Sequence, residues 1–336
     1  MQTSLLFIGG TGTISSACVS LAVEQGFCVT VVNRGITDRG VPAEVELRVG
    51  DAQDNKSLSD AVMGREFDVV ADFRGFTAAE VSARLELFRG RIGQYVFVSS
   101  ATVYEKPPAT LPVVESARLS NPDWQYARDK IAAEDVLAAA YREERYPVTI
   151  VRPSHTYDER TPPLYGGWTQ IARMREGRPV VVHDDGASLW TLTHSRDFAP
   201  PFVGLLGNPR AHGEAFHITS SEVFTWNEIF EILARAADAP PPQLVHVPAD
   251  VIARLDCDWG AALTGDMAHS MVFDNSKVES LLGKFQQGTP FQTGAREIMS
   301  WFDEDPARQV RDPRFEAAVE QLLEQSPPTA ARETSP

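Results

Sequence analysis

Short, nearly continuous apolar runs alternate with longer stretches of helical period through the first half of the chain. Ser4–Ile8, Phe27–Val32, Val45–Val49, Phe67–Ala71, Tyr95–Ser99 and Val148–Arg152 are rich in β-branched and aromatic residues. That is the pattern of parallel strands buried on both faces. Between them the apolar spacing predicts helices over Ile14–Gln25, closed by Gly26, from about Ser57, and over Asp129–Glu144. Strands that alternate with crossover helices predict an α/β fold built on a doubly wound parallel sheet.

Beyond Pro153 the texture changes, because Pro, Gly, Trp and His become frequent and the alternation loses its regularity. We therefore expect a nucleotide-binding domain over residues 1–153, completed by a returning strand near 214–220, and a smaller substrate-binding lobe mainly over 154–302. Residues 303–336 read as a charged C-terminal extension whose end, Ser326–Pro336, is expected to be disordered. No internal repeat is visible.

Composition narrows the function. Lys and Arg number 31 against 46 Asp and Glu, a net charge of −15 over 336 residues, which disfavours binding to bulk nucleic acid. There is no apolar stretch of the roughly 18 residues that a membrane helix needs, and the N-terminus lacks a leader pattern, so a cytoplasmic protein without a membrane partner is expected. Cys18, Cys28 and Cys257 are too scattered for a disulfide framework, and the histidines show no ligand spacing. No metal site is expected.

The segment LLFIGGTGTISS places Gly9, Gly10 and Gly12 between a strand and a helix, the context that gives such glycines a phosphate-binding meaning. Gly9 permits the tight turn, Gly12 allows close approach, and the amides at Thr13 and Ile14 open the helix toward a pyrophosphate. This is the signature of a Rossmann sheet that binds NAD or NADP. After the second strand stand Asn33 and Arg34, where NAD-selecting chains offer an acid to the ribose; an amide and a guanidinium there favour NADP. Asp51 and Ala52 follow the third strand and are placed to border the adenine, although Asp51 equally suits a cap of the helix near Ser57.

Tyr126 and Lys130 are four residues apart in WQYARDK, so both project from one helix face. A phenol with a reference pKa of about 10 acts as a base near neutrality only if a cation stabilises its anion, and Lys130 supplies that cation. Ser100, at the end of the buried strand YVFVSS, can hydrogen-bond the oxygen that gains or loses the proton. The three form a device for interconverting alcohol and carbonyl.

With these motifs the chain resembles the extended short-chain dehydrogenase/reductases, the NAD-dependent epimerase/dehydratase family, over nearly its full length. The resemblance rests on GGTGTIS, GDAQD, FDVVADF, VFVSSATVY, YARDK, VTIVRPS and DNSKVESLLGKF. It implies Ser100, Tyr126 and Lys130 as the catalytic triad. It also implies Phe73, Arg74 and Gly75 lining the cofactor, and Pro153 and Ser154 near the nicotinamide.

The departures from the family bear on substrate. Ser15 replaces the third glycine of the turn, as in atypical branches that include relatives of chloroplast stem-loop RNA-binding proteins. Ala101 and Thr102 stand where sugar-nucleotide 4,6-dehydratases carry Asp-Glu, giving the SATVY of 4-epimerases. His155 and Trp190 replace the Asn and Arg that usually contact a substrate diphosphate, which exchanges an anion clamp for a stacking surface. Thr102, Tyr104, His155, Trp190 and His194 are the candidate substrate residues, with core packing the alternative for His194 and Trp190.

The expected activity is epimerisation of a sugar, sugar nucleotide or nucleoside-like polyol through a transient ketone. A dehydrogenase or reductase with net cofactor turnover is the alternative. A redox-sensing or RNA-associated binding protein is a third reading, opposed by the intact Tyr-Lys pair. A homodimer is implied by the resemblance alone.

Overall fold

The structure is a computed structural model and describes residues 2–36, 39–284 and 288–325. Seven strands form one parallel sheet: β1 (Ser4–Ile8), β2 (Cys28–Asn33), β3 (Glu46–Val49), β4 (Val69–Asp72), β5 (Gln94–Val98), β6 (Val148–Pro153) and β7 (Ala215–Ile218). Their order is β7-β6-β5-β4-β1-β2-β3. The order reverses between β1 and β4, and the carboxyl ends of such a sheet at the reversal form its ligand-binding crevice. The fold is the doubly wound α/β sheet that the alternation predicts, and the strand from the second half of the chain does return, pairing with β6 from Ala215↔Ile150 to Ile218↔Pro153.

Helices α1 (Thr13–Glu24), α2 (Asn55–Val62), α3 (Ala78–Phe88) and α4 (Gln125–Glu144) cross between strands. α1 packs with the Ser195–Leu205 helix over one sheet face, in a core that includes Val19, Val31, Phe198 and Phe202. α2, α3 and α4 contribute to the core on the other, with Leu58, Leu85, Phe97 and Leu137. Burial on both faces explains the nearly continuous apolar runs of β4, β5 and β6. β3 is an edge strand and alternates instead, leaving Leu47 and Val49 exposed.

Two departures from the sequence expectation bear on the site. α4 begins at Gln125 rather than Asp129, which puts Tyr126 in its first turn; Trp124 precedes it without a side-chain cap, so no capping signal marks the start. The α2 cap is Asp54, whose carboxylate accepts from the Lys56 and Ser57 amides, rather than Asp51.

The chain divides into two compact units. The first takes Met1–Asp158, Thr191–Glu222 and Met271–Thr289 and contains the whole sheet. The second takes Glu159–Trp190, Val223–Ser270 and the chain from Pro290. Within it Val180–His183 pairs in parallel with Leu244–Val247, and Leu189–Trp190 pairs antiparallel with Phe224–Thr225. The stretch expected as a charged extension carries the helix Pro313–Gln325, whose Phe315, Val319 and Leu322 lie on one face and pack with Val181, Val247 and Trp259. Ser326–Pro336 lie outside the described residues.

Candidate functional site

The turn after β1 is built by three glycines with different tasks. Gly9 has a φ of +85°, the left-handed region that favours glycine, and its amide donates to Val32 O at 2.9 Å. At Gly10 a Cβ would stand 2.7 Å from Val31 Cγ2, so the close helix-to-strand packing falls to this position. At Gly12 a Cβ would meet only Ser15 Oγ, at 3.2 Å, so little protein crowds that part of the turn. Ser15 is buried, and its hydroxyl accepts from the Gly12 amide at 2.8 Å, filling the role that its place in the turn leaves to a small residue. Thr13 and Ile14 open α1, so the positive end of the helix dipole faces the turn.

At the end of β2, Asn33 is partly committed locally. Its Oδ1 accepts from the Gly35 amide at 2.8 Å, and its Nδ2 donates to Thr11 Oγ1 at 3.5 Å. Arg34 is exposed. After β3, Asp51 Oδ1 accepts from the Gln53 amide at 3.0 Å, and Ala52 is buried with its carbonyl bound to Arg84 Nη2 at 2.7 Å. After β4, Phe73 stacks on Phe7 and packs on Phe202, so its ring belongs to the core below the turn. The Arg74 stem lies over Gly9, where a Cβ would come 2.3 Å from Arg74 Cγ, and its guanidinium covers Phe76 at 5.0 Å. Loops after β1 and β4 therefore touch at the order reversal.

Ser100 follows β5, and its Oγ accepts from the Thr102 amide at 3.2 Å. Tyr126 is partly exposed and packs between Trp124 and Phe76, with ring centroids at 5.2 and 6.3 Å. Lys130 is 2% exposed. Its ammonium donates to Gly75 O at 2.7 Å and Val98 O at 2.8 Å, and stands 5.8 Å from the centroid of the Tyr126 ring. Burial pulls its pKa down to about 8, against the opposing pull of Asp72 and Glu134. Near pH 7 the group still carries its charge for most of the time. Sequence reasoning missed the charges that act on it: Asp72, Glu80, Arg84 and Glu134.

The remaining candidates separate. Pro153 ends β6 in the core, and Ser154 Oγ lies 2.7 Å from Thr193 Oγ1. His155 pairs with Leu192, and burial pushes its imidazole down to about 4, so it is neutral near pH 7. His194 is buried, caps the Ser195–Leu205 helix through Nδ1, which accepts from the Arg196 amide at 3.1 Å, and packs edge-on to Tyr157. Its core role is thus explained. Tyr104 corrects the expectation: it is fully buried, with its hydroxyl 2.6 Å from His217 Nε2 and accepting from Arg152 at 2.7 Å. Those two partners hold the ring in the interior. Trp190 belongs to the second unit, where it is 4% exposed and packs on Trp226 at 5.5 Å. It fills that unit's core and offers little free stacking surface.

The NAD dependent epimerase/dehydratase family model matches residues 5–219, which span the glycine turn, Ser100, Tyr126 and Lys130. The chain belongs to this family. It is an NAD-dependent enzyme of the extended short-chain dehydrogenase/reductase type. Among its relatives, this family member is 27% identical to the 2'-dehydrokanamycin reductase of Streptomyces kanamyceticus over 286 residues, 84% of this chain and 80% of that one. It is 28% identical to the chloroplast stem-loop binding protein of 41 kDa b of Arabidopsis thaliana over 258 residues, 73% of this chain and 66% of that protein's length. In fold it resembles the UDP-glucose 4-epimerase of Thermus thermophilus, solved as a complex with NAD, with a TM-score of 0.73, 20% identity, and coverage of 90% and 99% of the two chains.

The residues present fit the family's cofactor. Gly12 leaves room for close approach, α1 begins at the turn, and Ser99 Oγ and Thr102 Oγ1, both buried beside Ser100, have no partner among the described residues. No helix among the described residues is long and apolar enough to cross a membrane.

Proposed function

We propose that the chain epimerises a sugar, sugar nucleotide or nucleoside-like polyol through a transient ketone, with Tyr126 as its acid and base. The observation that carries this reading is the buried Lys130 ammonium, anchored at the carboxyl edge one helical turn from Tyr126. A nicotinamide dinucleotide, when bound, would accept hydride from the substrate carbon and return it. It would be held by Gly9, Gly12, Thr13 and Ile14 at the pyrophosphate, by Asp51 and Ala52 at the adenine, and by Arg74, Gly75, Pro153 and Ser154 toward the nicotinamide. Phe73 supports this edge from below through its stacking on Phe7.

The proton chemistry belongs to the protein. Tyr126 Oη takes the proton of a substrate hydroxyl and later returns it; the Lys130 cation lowers the cost of the phenolate. Ser100 donates a hydrogen bond to the same substrate oxygen as charge develops there. Arg34 meets a ribose 2'-phosphate, which favours NADP, and the Asn33 commitment to Gly35 leaves that task chiefly to the guanidinium. Thr102 and His155 contact the substrate, His155 as a neutral hydrogen-bonding group. The substrate lobe is read as the second unit, and a homodimer follows the family expectation.

A reductase with net cofactor turnover is a second reading, favoured by the relative that reduces 2'-dehydrokanamycin and aligns over most of this chain. Mass spectrometry of the dinucleotide released by denaturing the purified chain separates the two. Oxidised cofactor retained through purification is the expected result. A chain that purifies empty and exchanges cofactor each turn contradicts the epimerase reading and supports the reductase.

A further inference from the structure

A buried ion pair stands behind Lys130. Asp72 ends β4 with no exposure, Arg84 lies mid-way along α3 with 1%, and Arg84 Nη1 is 2.5 Å from Asp72 Oδ2. The same Oδ2 accepts from Tyr95 Oη at 2.5 Å, while Oδ1 accepts from the amides of Arg74 and Gly75 at 2.8 and 2.9 Å. Arg84 Nη2 donates to the carbonyls of Ala52 at 2.7 Å and Arg74 at 3.2 Å.

These bonds grip two consecutive peptide units. The Arg74–Gly75 unit is held at its C=O by Arg84 and at its N–H by Asp72. The Gly75–Phe76 unit is held at its C=O by Lys130 and at its N–H by Glu80 Oε2, 2.8 Å from the Phe76 amide. Only glycine fits between them, because a Cβ on Gly75 would stand 2.8 Å from Phe97 Cε2 and 2.9 Å from both Arg84 Nη1 and Asp72 Oδ2.

Stability is a weak reason for such a pair. Burying two charges costs several kcal/mol per ion before their attraction is counted, and Arg84 Nε has no partner among the described residues. An apolar pair of similar volume would pack there without that cost. What the pair uniquely does is geometric: one guanidinium fork reaches a carboxylate and carbonyls of two different loops, which a lysine cannot do.

We propose that the Asp72–Arg84 pair is the positioning device of the cofactor edge, joining the loops after β3 and β4 into one wall and fixing the peptide to which Lys130 is anchored. This rests on reading that edge as a nicotinamide dinucleotide site. Neither residue is placed in contact with cofactor or substrate; both act through Ala52, Arg74, Gly75 and Lys130.

The test is titration of the full chain with NADH and NADPH, followed by nicotinamide fluorescence, alongside circular dichroism and thermal melting. In folded Arg84→Met both dinucleotides bind about tenfold or more weakly, the loss expected when a charged group's hydrogen bonds are removed. Arg84→Lys, which keeps the charge without the fork, recovers only part of that affinity. A merely structural role would lower the melting temperature and leave affinity within about twofold of wild type at temperatures where the variant is folded. That result overturns the inference. If Arg84→Met does not fold, Arg84→Lys and Asp72→Asn decide it on the same criterion. A folded wild-type chain that binds neither dinucleotide overturns the reading of the site itself, and the inference with it.

Discussion

Lys130 Nζ lies 2.7 Å from the carbonyl oxygen of Gly75, a residue 55 positions earlier in the chain. The bond ties the helix that carries Tyr126 to the loop after β4, so under the proposed function the proton-transfer group and the cofactor edge are set by one contact. Removing space at that contact is therefore informative. Gly75→Ala puts a methyl group against Phe97 and the buried Arg84–Asp72 pair. A loss of about 1–3 kcal/mol in chemical denaturation is expected, the usual cost of overpacking, with weaker dinucleotide binding; an unchanged stability would contradict the packing described here.

The charge of Lys130 gives a pH dependence. Asp72 at the end of β4, Glu80 and Arg84 on α3, and Glu134 on α4 all bear on it, with the Tyr126 ring 5.8 Å away, and burial leaves its pKa at about 8. Activity that needs the cation falls as pH rises through that value. Asp72→Asn removes the largest supporting charge and moves the alkaline limb of kcat/KM to lower pH. A limb left at its wild-type pH would show that Asp72 does not act on Lys130.

His183 makes a separate prediction about stability. It is buried in the second unit beside Ser188 and the Met267 carbonyl, and burial lowers its pKa from 6.5 to about 4. A depressed folded value means stability that is fully present above pH 6.5 and is lost as pH falls through about 4. Its share of the slope in that window is about 1.4 kcal/mol per pH unit. Urea denaturation across the window measures it: His183→Gln flattens the dependence, and an equal slope in the variant would contradict the assignment.

Under the proposed function, cofactor choice rests on Arg34. Its exposed guanidinium can pair with a 2'-phosphate, an interaction worth about 1.5–3 kcal/mol. Arg34→Ala is expected to weaken NADPH binding by about tenfold to a hundredfold and to leave NADH nearly unchanged, as read by calorimetry. Equal affinity of the wild type for both dinucleotides would remove Arg34 from the site.

The legible parts of this fold are those with a strong local signal. The glycine turn lies between an unbroken apolar strand and a helix, and the Tyr126–Lys130 spacing declares a shared face even though α4 starts earlier than its pattern suggests. The Asp72–Arg84 pair escapes the sequence, because its members belong to different elements and Arg84 resembles an ordinary helix cation. A signal is nevertheless present: Arg84 falls on the same face of α3 as the buried Val81, Leu85 and Phe88, where a solvated charge has no place. Position within motifs suggests Tyr104 and Trp190 as pocket residues. Their burial depends on distant partners, His217 and Arg152 for one and Trp226 for the other, which no local pattern reveals.

The central claim is that Tyr126 moves the proton. Its most direct test is turnover of Tyr126→Phe against wild type on a panel of nucleoside-diphosphate sugars, free hexoses and aminoglycosides, with NAD and NADP supplied. We expect turnover to fall roughly a hundredfold to ten-thousandfold, with melting temperature and dinucleotide affinity retained. Turnover equal to wild type in the folded variant would contradict it.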